Sequence, residues 1–115
     1  MSDFNKSIIQ GRLTADPELR YSNAGTPICT LRLANNRTYK QDGEPQKEVC
    51  YVDATAFGKT AELVAQYLAK GSAVLVEGRL KHKRWEKDGQ KHSKHTIQVE
   101  SVTFLDKKGE GGNGD

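Results

Sequence analysis

Glu48-Val49-Cys50-Tyr51-Val52-Asp53-Ala54-Thr55-Ala56-Phe57 alternates between two chemistries. Cys50, Val52, Ala54 and Ala56 are small or apolar, while Tyr51, Asp53, Thr55 and Phe57 form a second series one step out of phase. A repeat of two residues is that of a strand with one face packed and the other turned out. The first series is expected inside. The second carries two large rings around a carboxylate and a hydroxyl, a mixture that does not read as core.

The preceding apolar segment, Ile28–Arg37, alternates in the same way, with Cys29, Leu31 and Leu33 on one face and Thr30, Arg32 and Ala34 on the other. Asp42-Gly43 between the two segments is a two-residue hairpin signal. A turn centred there sets Asn35 opposite Cys50 and Cys29 opposite Ala56. It also sets Arg32 opposite Asp53, a candidate cross-strand ion pair. At about 3.3 Å per residue, the stagger separates the two cysteines by about 20 Å, too far for a disulfide. Both are expected to be buried, reduced thiols.

The flanking chain supplies the other elements. Lys6–Thr14 reads as a first strand anchored by Ile8, Ile9 and Leu13, and Asp16-Pro17 and Ser22–Pro27 punctuate the connection that follows. Leu63, Val64, Tyr67 and Leu68 recur at helical spacing over Thr60–Ala69, with Glu62 in the first turn and Lys70-Gly71 as the stop. Ala73–Trp85 is a long fourth strand, turned by Asp88-Gly89 into a fifth that runs to about Leu105. The apolar residues of that last strand change phase between Val99 and Val102, which implies a bulge near Ser101. Tyr21 and Tyr67 read as packing residues, and Phe4 and Phe104 as core or lid. The domain is expected over residues 1–105, with residues 106–115 as a flexible glycine-rich tail. Three strands, one short helix and two strands is the order of an all-β, five-stranded OB-fold barrel, here with a long ribbon made by its fourth and fifth strands.

The charge is concentrated. Arg79–His95 carries seven basic residues against two acidic, a net +5, and includes Trp85, the chain's one tryptophan. Residues 1–78 carry nine of each sign, and residues 96–115 sum to −2. Localised cations attract a polyanion, and a flat ring offers unpaired bases a stacking surface. Single-stranded nucleic acid presents both.

Other chemistries lack their residues. Gly58-Lys59-Thr60 stands between a strand and a helix, but a phosphate loop needs glycine where this chain has Asp53. There is no Gly-x-Ser-x-Gly elbow, and His82, His92 and His95 flank a solvated turn without ligand-spaced partners. No enzymatic activity, cofactor or metal is expected. No apolar run reaches the ~20 residues of a membrane span, and Met1–Lys6 lacks the order of a secretory signal, so the expected location is the cytoplasm.

Tyr39, Tyr51, Phe57 and Trp85 are the candidate stacking rings. Arg37, Lys40, Lys59, Arg79, Lys81, Lys83 and Arg84 are the candidate phosphate contacts.

These residues sit within runs that resemble the bacterial single-stranded DNA-binding proteins over residues 4–105. The matching runs include Ile9-Gln10-Gly11-Arg12-Leu13, Asp16-Pro17-Glu18-Leu19-Arg20-Tyr21, Phe57-Gly58-Lys59-Thr60-Ala61-Glu62, Val76-Glu77-Gly78-Arg79-Leu80 and Lys83-Arg84-Trp85. The resemblance implies base stacking at the four rings and phosphate contacts at Lys59, Lys81, Lys83 and Arg84. It also implies a homotetramer, and a role in replication, recombination and repair. Asp53 departs from the pattern, because some relatives place a basic residue there. The family's acidic tip, which recruits replication and repair proteins, has no counterpart here. The chain stops at Gly112-Asn113-Gly114-Asp115, so either the tail is truncated or this member lacks that docking function. Two rival readings are a primosome-type assembly module that uses the same barrel to bind proteins, and a cold-shock-like RNA-binding domain.

Overall fold

The computed structural model describes residues 2–106. Its elements in chain order are β1 (Ser7–Leu13), β2 (Glu18–Tyr21), β3 (Pro27–Gln41), β4 (Glu44–Phe57), α1 (Gly58–Tyr67), β5 (Ala73–Lys87) and β6 (Gln90–Phe104). The sheet runs β1-β5-β6-β4-β3-β2, and pairing of β1 with β3 at Arg12–Ala34 and Leu13–Leu33 closes five of these strands into a barrel. One helix between the third and fourth barrel strands completes the OB-fold that the element order predicts. Closure leaves β2 as the one strand added outside the ring.

The hairpin register is the expected one. Asn35 faces Cys50, Cys29 faces Ala56 and Arg32 faces Asp53. Asp42 and Asp88 both adopt positive φ (54° and 52°), and each is followed by a glycine at 78°. Two consecutive positive φ values make the turn whose twist matches the strands it joins, which is why Asp-Gly closes both long hairpins. The bulge in β6 is also where the phase change placed it: Glu77 pairs with Ser101 while Gly78 pairs with Val99, leaving Glu100 over. At that irregularity the backbones crowd, and a Cβ added to Gly78 would lie 2.0 Å from the Gln98 carbonyl oxygen.

The core is the inward series of β3 and β4 packed against the other walls. Cys29, Leu31, Leu33, Ala54 and Ala56 are buried together with Leu13, Val74, Val76 and Ile97. The helix adds Ala61 and Val64 to this cluster, joined by Leu68 just beyond its end. Gly58, at φ 64°, turns the chain from β4 into α1. The helix therefore begins before Thr60, and it ends at Tyr67 because Leu68 is already extended.

Several expectations are corrected. Glu18–Tyr21 is a strand and not part of a connection. It hairpins onto the start of β3 through a turn in which the Gly25 N–H donates to the Ser22 carbonyl at 2.9 Å. All four of its residues are exposed, so no burial alternation marks it in the sequence. Cys29 is buried but Cys50 is exposed. The alternation continues to Cys50, but the ribbon has by then left the barrel and no described residue covers that face. Leu63 and Tyr67 share the helical spacing yet lie on its open side, Tyr67 against Phe104 with ring centroids 6.1 Å apart. Tyr21 is exposed on β2, and Phe4 is 91% exposed and no part of the core. Asp106 is tied down, accepting a hydrogen bond from the Ala73 N–H at 3.0 Å. The remainder of the expected tail, residues 107–115, lies outside the described residues.

Candidate nucleic-acid interface

Beyond the barrel, β3–β4 and β5–β6 continue as two exposed antiparallel arms. Between them, β4 and β6 touch as parallel neighbours at Ala54–Ile97 and Thr55–Gln98. Ala54 and Ile97 face the core there, so Thr55 and Gln98 face out. Strict alternation then assigns every functional side chain to a face. The outward set on β4 is Tyr51, Asp53, Thr55 and Phe57; on β6 it is His92, Lys94, Thr96 and Gln98; on β5 it is Arg79, Lys81, Lys83 and Trp85. Three of the four candidate rings and three of the seven candidate cations thus share one continuous surface. Lys40 carries the same phase on β3, further out along its arm.

Not all candidates join them. Arg37 and Tyr39 have the phase of Leu31 and Leu33, so they lie on the opposite face of the β3–β4 arm. The Arg37 guanidinium rests 4.7 Å from the Tyr39 ring centroid and pairs with Glu48 at 2.6 Å. Arg84 likewise lies on the reverse of the β5–β6 arm, where its Nε donates to His82 Nδ1 at 3.4 Å. Lys59 is exposed in the first turn of α1, two residues beyond Phe57.

The rings are available to a ligand. Tyr51 is 74% exposed, Phe57 42% and Trp85 41%. Phe57 forms one wall of a cleft of about 390 Å³, shared with Arg20, Ile28, Lys81, Lys83, Thr96 and Gln98 among others. A second, shallower cleft of about 590 Å³ lies along Trp85, with Arg84, Glu86, Lys91 and His92 among its walls. Trp85 already stacks on His92 across the arm, with centroids 5.4 Å apart and planes 20° from parallel. One ring face is thereby fixed, holding the indole in a set orientation. An incoming flat group can use the other face.

Asp53 is neutralised, but not by Arg32. Although Arg32 is its register partner, the guanidinium reaches Glu18 on β2 at 3.6 Å. Lys94 of β6 takes Asp53 instead at 2.6 Å, and the Thr96 hydroxyl donates to the Asp53 carbonyl at 2.8 Å. This ion pair stands in the fork where the arms part.

Sequence reasoning missed Arg20, Lys94, Thr96 and Gln98 as members of this surface. Lys94 contributed to the local charge excess, but its place beside Asp53 depends on the non-local β4–β6 pairing. Arg20 lies on the unrecognised strand, where its Nη1 donates to Thr30 Oγ1 at 3.2 Å.

Chemically, the surface offers aromatic faces beside lysines and an arginine, with hydroxyls and an amide between them. Among the described residues no group of three or more His, Cys, Asp or Glu is placed to hold a metal. No helix among them is long and apolar enough to cross a membrane.

A sequence model of the single-strand binding protein family matches residues 4–105. The single-stranded DNA-binding protein of Helicobacter pylori is 50% identical over 107 residues, which cover 91% of this chain and 60% of that protein. This chain thus spans about three fifths of that relative's length. Among solved structures, a deletion mutant of the single-stranded DNA-binding protein from Thermus aquaticus superposes with a TM-score of 0.80 at 34% identity, over 92% of this chain and 52% of that one. The Plasmodium falciparum SSB in complex with ssDNA superposes with a TM-score of 0.84 over 92% and 98% of the two chains. At 24% identity, that likeness speaks to the fold.

Proposed function

This chain belongs to the single-strand binding protein family, and we accordingly propose that it binds single-stranded DNA without regard to sequence, as a coat during replication, recombination and repair. The observation that carries this reading is the common outward face of Tyr51, Phe57, Trp85, Arg79, Lys81 and Lys83. The cations draw in the phosphate backbone, and the rings stack successive bases. Stacking is indifferent to sequence because every base has a flat face, and it contributes on the order of 1–3 kcal/mol per base. Duplex DNA hides those faces and binds more weakly. Arg84, Lys40, Lys59, Arg37 and Tyr39 belong to a longer path in which the strand passes around the arms.

The protein acts without catalysis, from the cytoplasm, through one domain over residues 1–105. It works as a homotetramer, the assembly that the family resemblance implies.

The test titrates the fluorescence of Trp85 with oligo-dT at several salt concentrations, with duplex DNA of equal length as control. Tight binding that weakens as salt rises, together with weak duplex binding, supports the reading. Equal affinity for duplex, or none for oligo-dT, overturns it. The primosome-type alternative predicts feeble oligo-dT binding with strong capture of a helicase, and light scattering on the same sample counts the subunits.

A further inference from the structure

The ion pair in the fork occupies the middle of the proposed binding surface, between Tyr51 and Thr55 on β4 and between His92 and Thr96 on β6. Its surroundings are otherwise positive. Lys83 stands directly opposite Lys94 on β5, and Arg32 stands opposite Asp53 on β3 but is drawn aside to Glu18. Like charges directly opposite across two strands repel, and Asp53 offsets that repulsion by claiming Lys94 at 2.6 Å. The Asp53 side chain is 26% exposed and that of Lys94 45%, so both remain within reach of a polyanion lying on this face. The backbone around the pair is separately secured by the Thr96 hydroxyl on the Asp53 carbonyl.

We propose that Asp53 is a built-in counterion that occupies Lys94 and cancels its charge at the fork, so that Lys94 is a phosphate-binding cation kept in check. The proposal rests on the single-stranded DNA reading above and identifies the residue that sets the strength of that interaction. A phosphate arriving at the fork must compete with a carboxylate already seated on the ammonium. Affinity and its salt dependence are therefore lower than the cations of the face would give unopposed.

The test compares wild type, Asp53→Asn, Lys94→Gln, the double variant and Glu62→Gln. The last removes the same unit charge from the exposed side of α1, outside the proposed contacts. Asparagine keeps the shape of Asp53 and leaves its carbonyl for Thr96; circular dichroism and urea unfolding confirm that each variant folds. For Asp53→Asn, oligo-dT binding should tighten, and the slope of log K against log salt should steepen by about 0.7, the share of one phosphate on a single strand. Its advantage over wild type should then shrink about fivefold for each tenfold rise in salt. Lys94→Gln should weaken binding, because it leaves the carboxylate bare, and the double variant should return close to wild type. A double variant that keeps the gain, an unchanged slope in Asp53→Asn, or an equal gain from Glu62→Gln would each overturn the proposal. Absence of oligo-dT binding by wild type would instead remove the proposed function itself.

Discussion

Tyr39 and Tyr51 lie on opposite faces of one two-stranded arm. Tyr51 pairs with Ala34, and Tyr39 is five positions further along the same strand, an odd step that reverses the face. A strand that stacks on both rings must pass over the edge of the arm. An oligo-dT too short to make that passage should lose affinity on Tyr51→Ala and be nearly indifferent to Tyr39→Ala. With a long oligonucleotide the two losses should converge, and isothermal titration across a length series would show it. Equal losses at the shortest length would mean that the arm is bent so as to bring both rings to one side.

Trp85 is held in orientation by the His92 ring stacked behind it. Trp85→Ala should weaken oligo-dT binding by about 1–3 kcal/mol. Tyr67→Ala removes a ring from the α1–Phe104 contact, away from the proposed face, and should leave affinity unchanged. Filter binding at one salt concentration compares them directly, without relying on the fluorescence that the first variant abolishes.

Gly78 and Gly89 are both glycines for a reason, and the reasons differ. An alanine at Gly78 would set its Cβ 2.0 Å from a backbone oxygen that no side-chain rotation can move. Overpacking of this kind costs about 1–3 kcal/mol. Gly89 has open space around it but a φ of +78°, so its alanine variant pays only the left-handed penalty of about 1–2 kcal/mol. Urea unfolding should show Gly78→Ala with the lower midpoint of the two, and binding should survive wherever the variant folds.

The cysteines should separate cleanly in a labelling experiment. Cys50 is exposed and should react with a maleimide at neutral pH, giving one adduct per chain by mass spectrometry, while Cys29 reacts only on unfolding. Burial also raises the Cys29 thiol above the ordinary value of 9.0. Below that value both folded and unfolded states hold the proton, and no stability depends on it. Above it the unfolded chain ionises first, so stability falls as pH climbs through the raised value. Cys29→Ala should flatten that alkaline loss, as read from urea midpoints above about pH 9.

The parts of the molecule legible in the sequence are those set by neighbours along the chain. Alternation over Ile28–Arg37 and Glu48–Phe57, with Asp42-Gly43 between them, leaves one comfortable register, and the structure has it down to the Arg32–Asp53 pairing. The bulge in β6 was visible because it displaces apolar residues by one step, and a one-step slip exchanges the two faces. By the same logic β2 was invisible: four exposed residues with no buried face carry no period to read.

For the site, the sequence supplied the inventory of rings and cations but not its arrangement. Composition shows that Arg79–His95 is basic, because charge counts need no coordinates. It does not show that Lys94 leaves the pool of free cations to pair with Asp53, forty-one positions away, since the parallel contact of β4 with β6 is made by closing the barrel. The exposure of Cys50 has the same origin. It depends on how far the arm projects past the barrel wall, and alternation continues unchanged whether or not anything lies over it. Local periodicity and turn chemistry thus specified strands, register and charge. Chain closure over long separations chose which side chains meet, because only there do residues distant in sequence compete for the same partner.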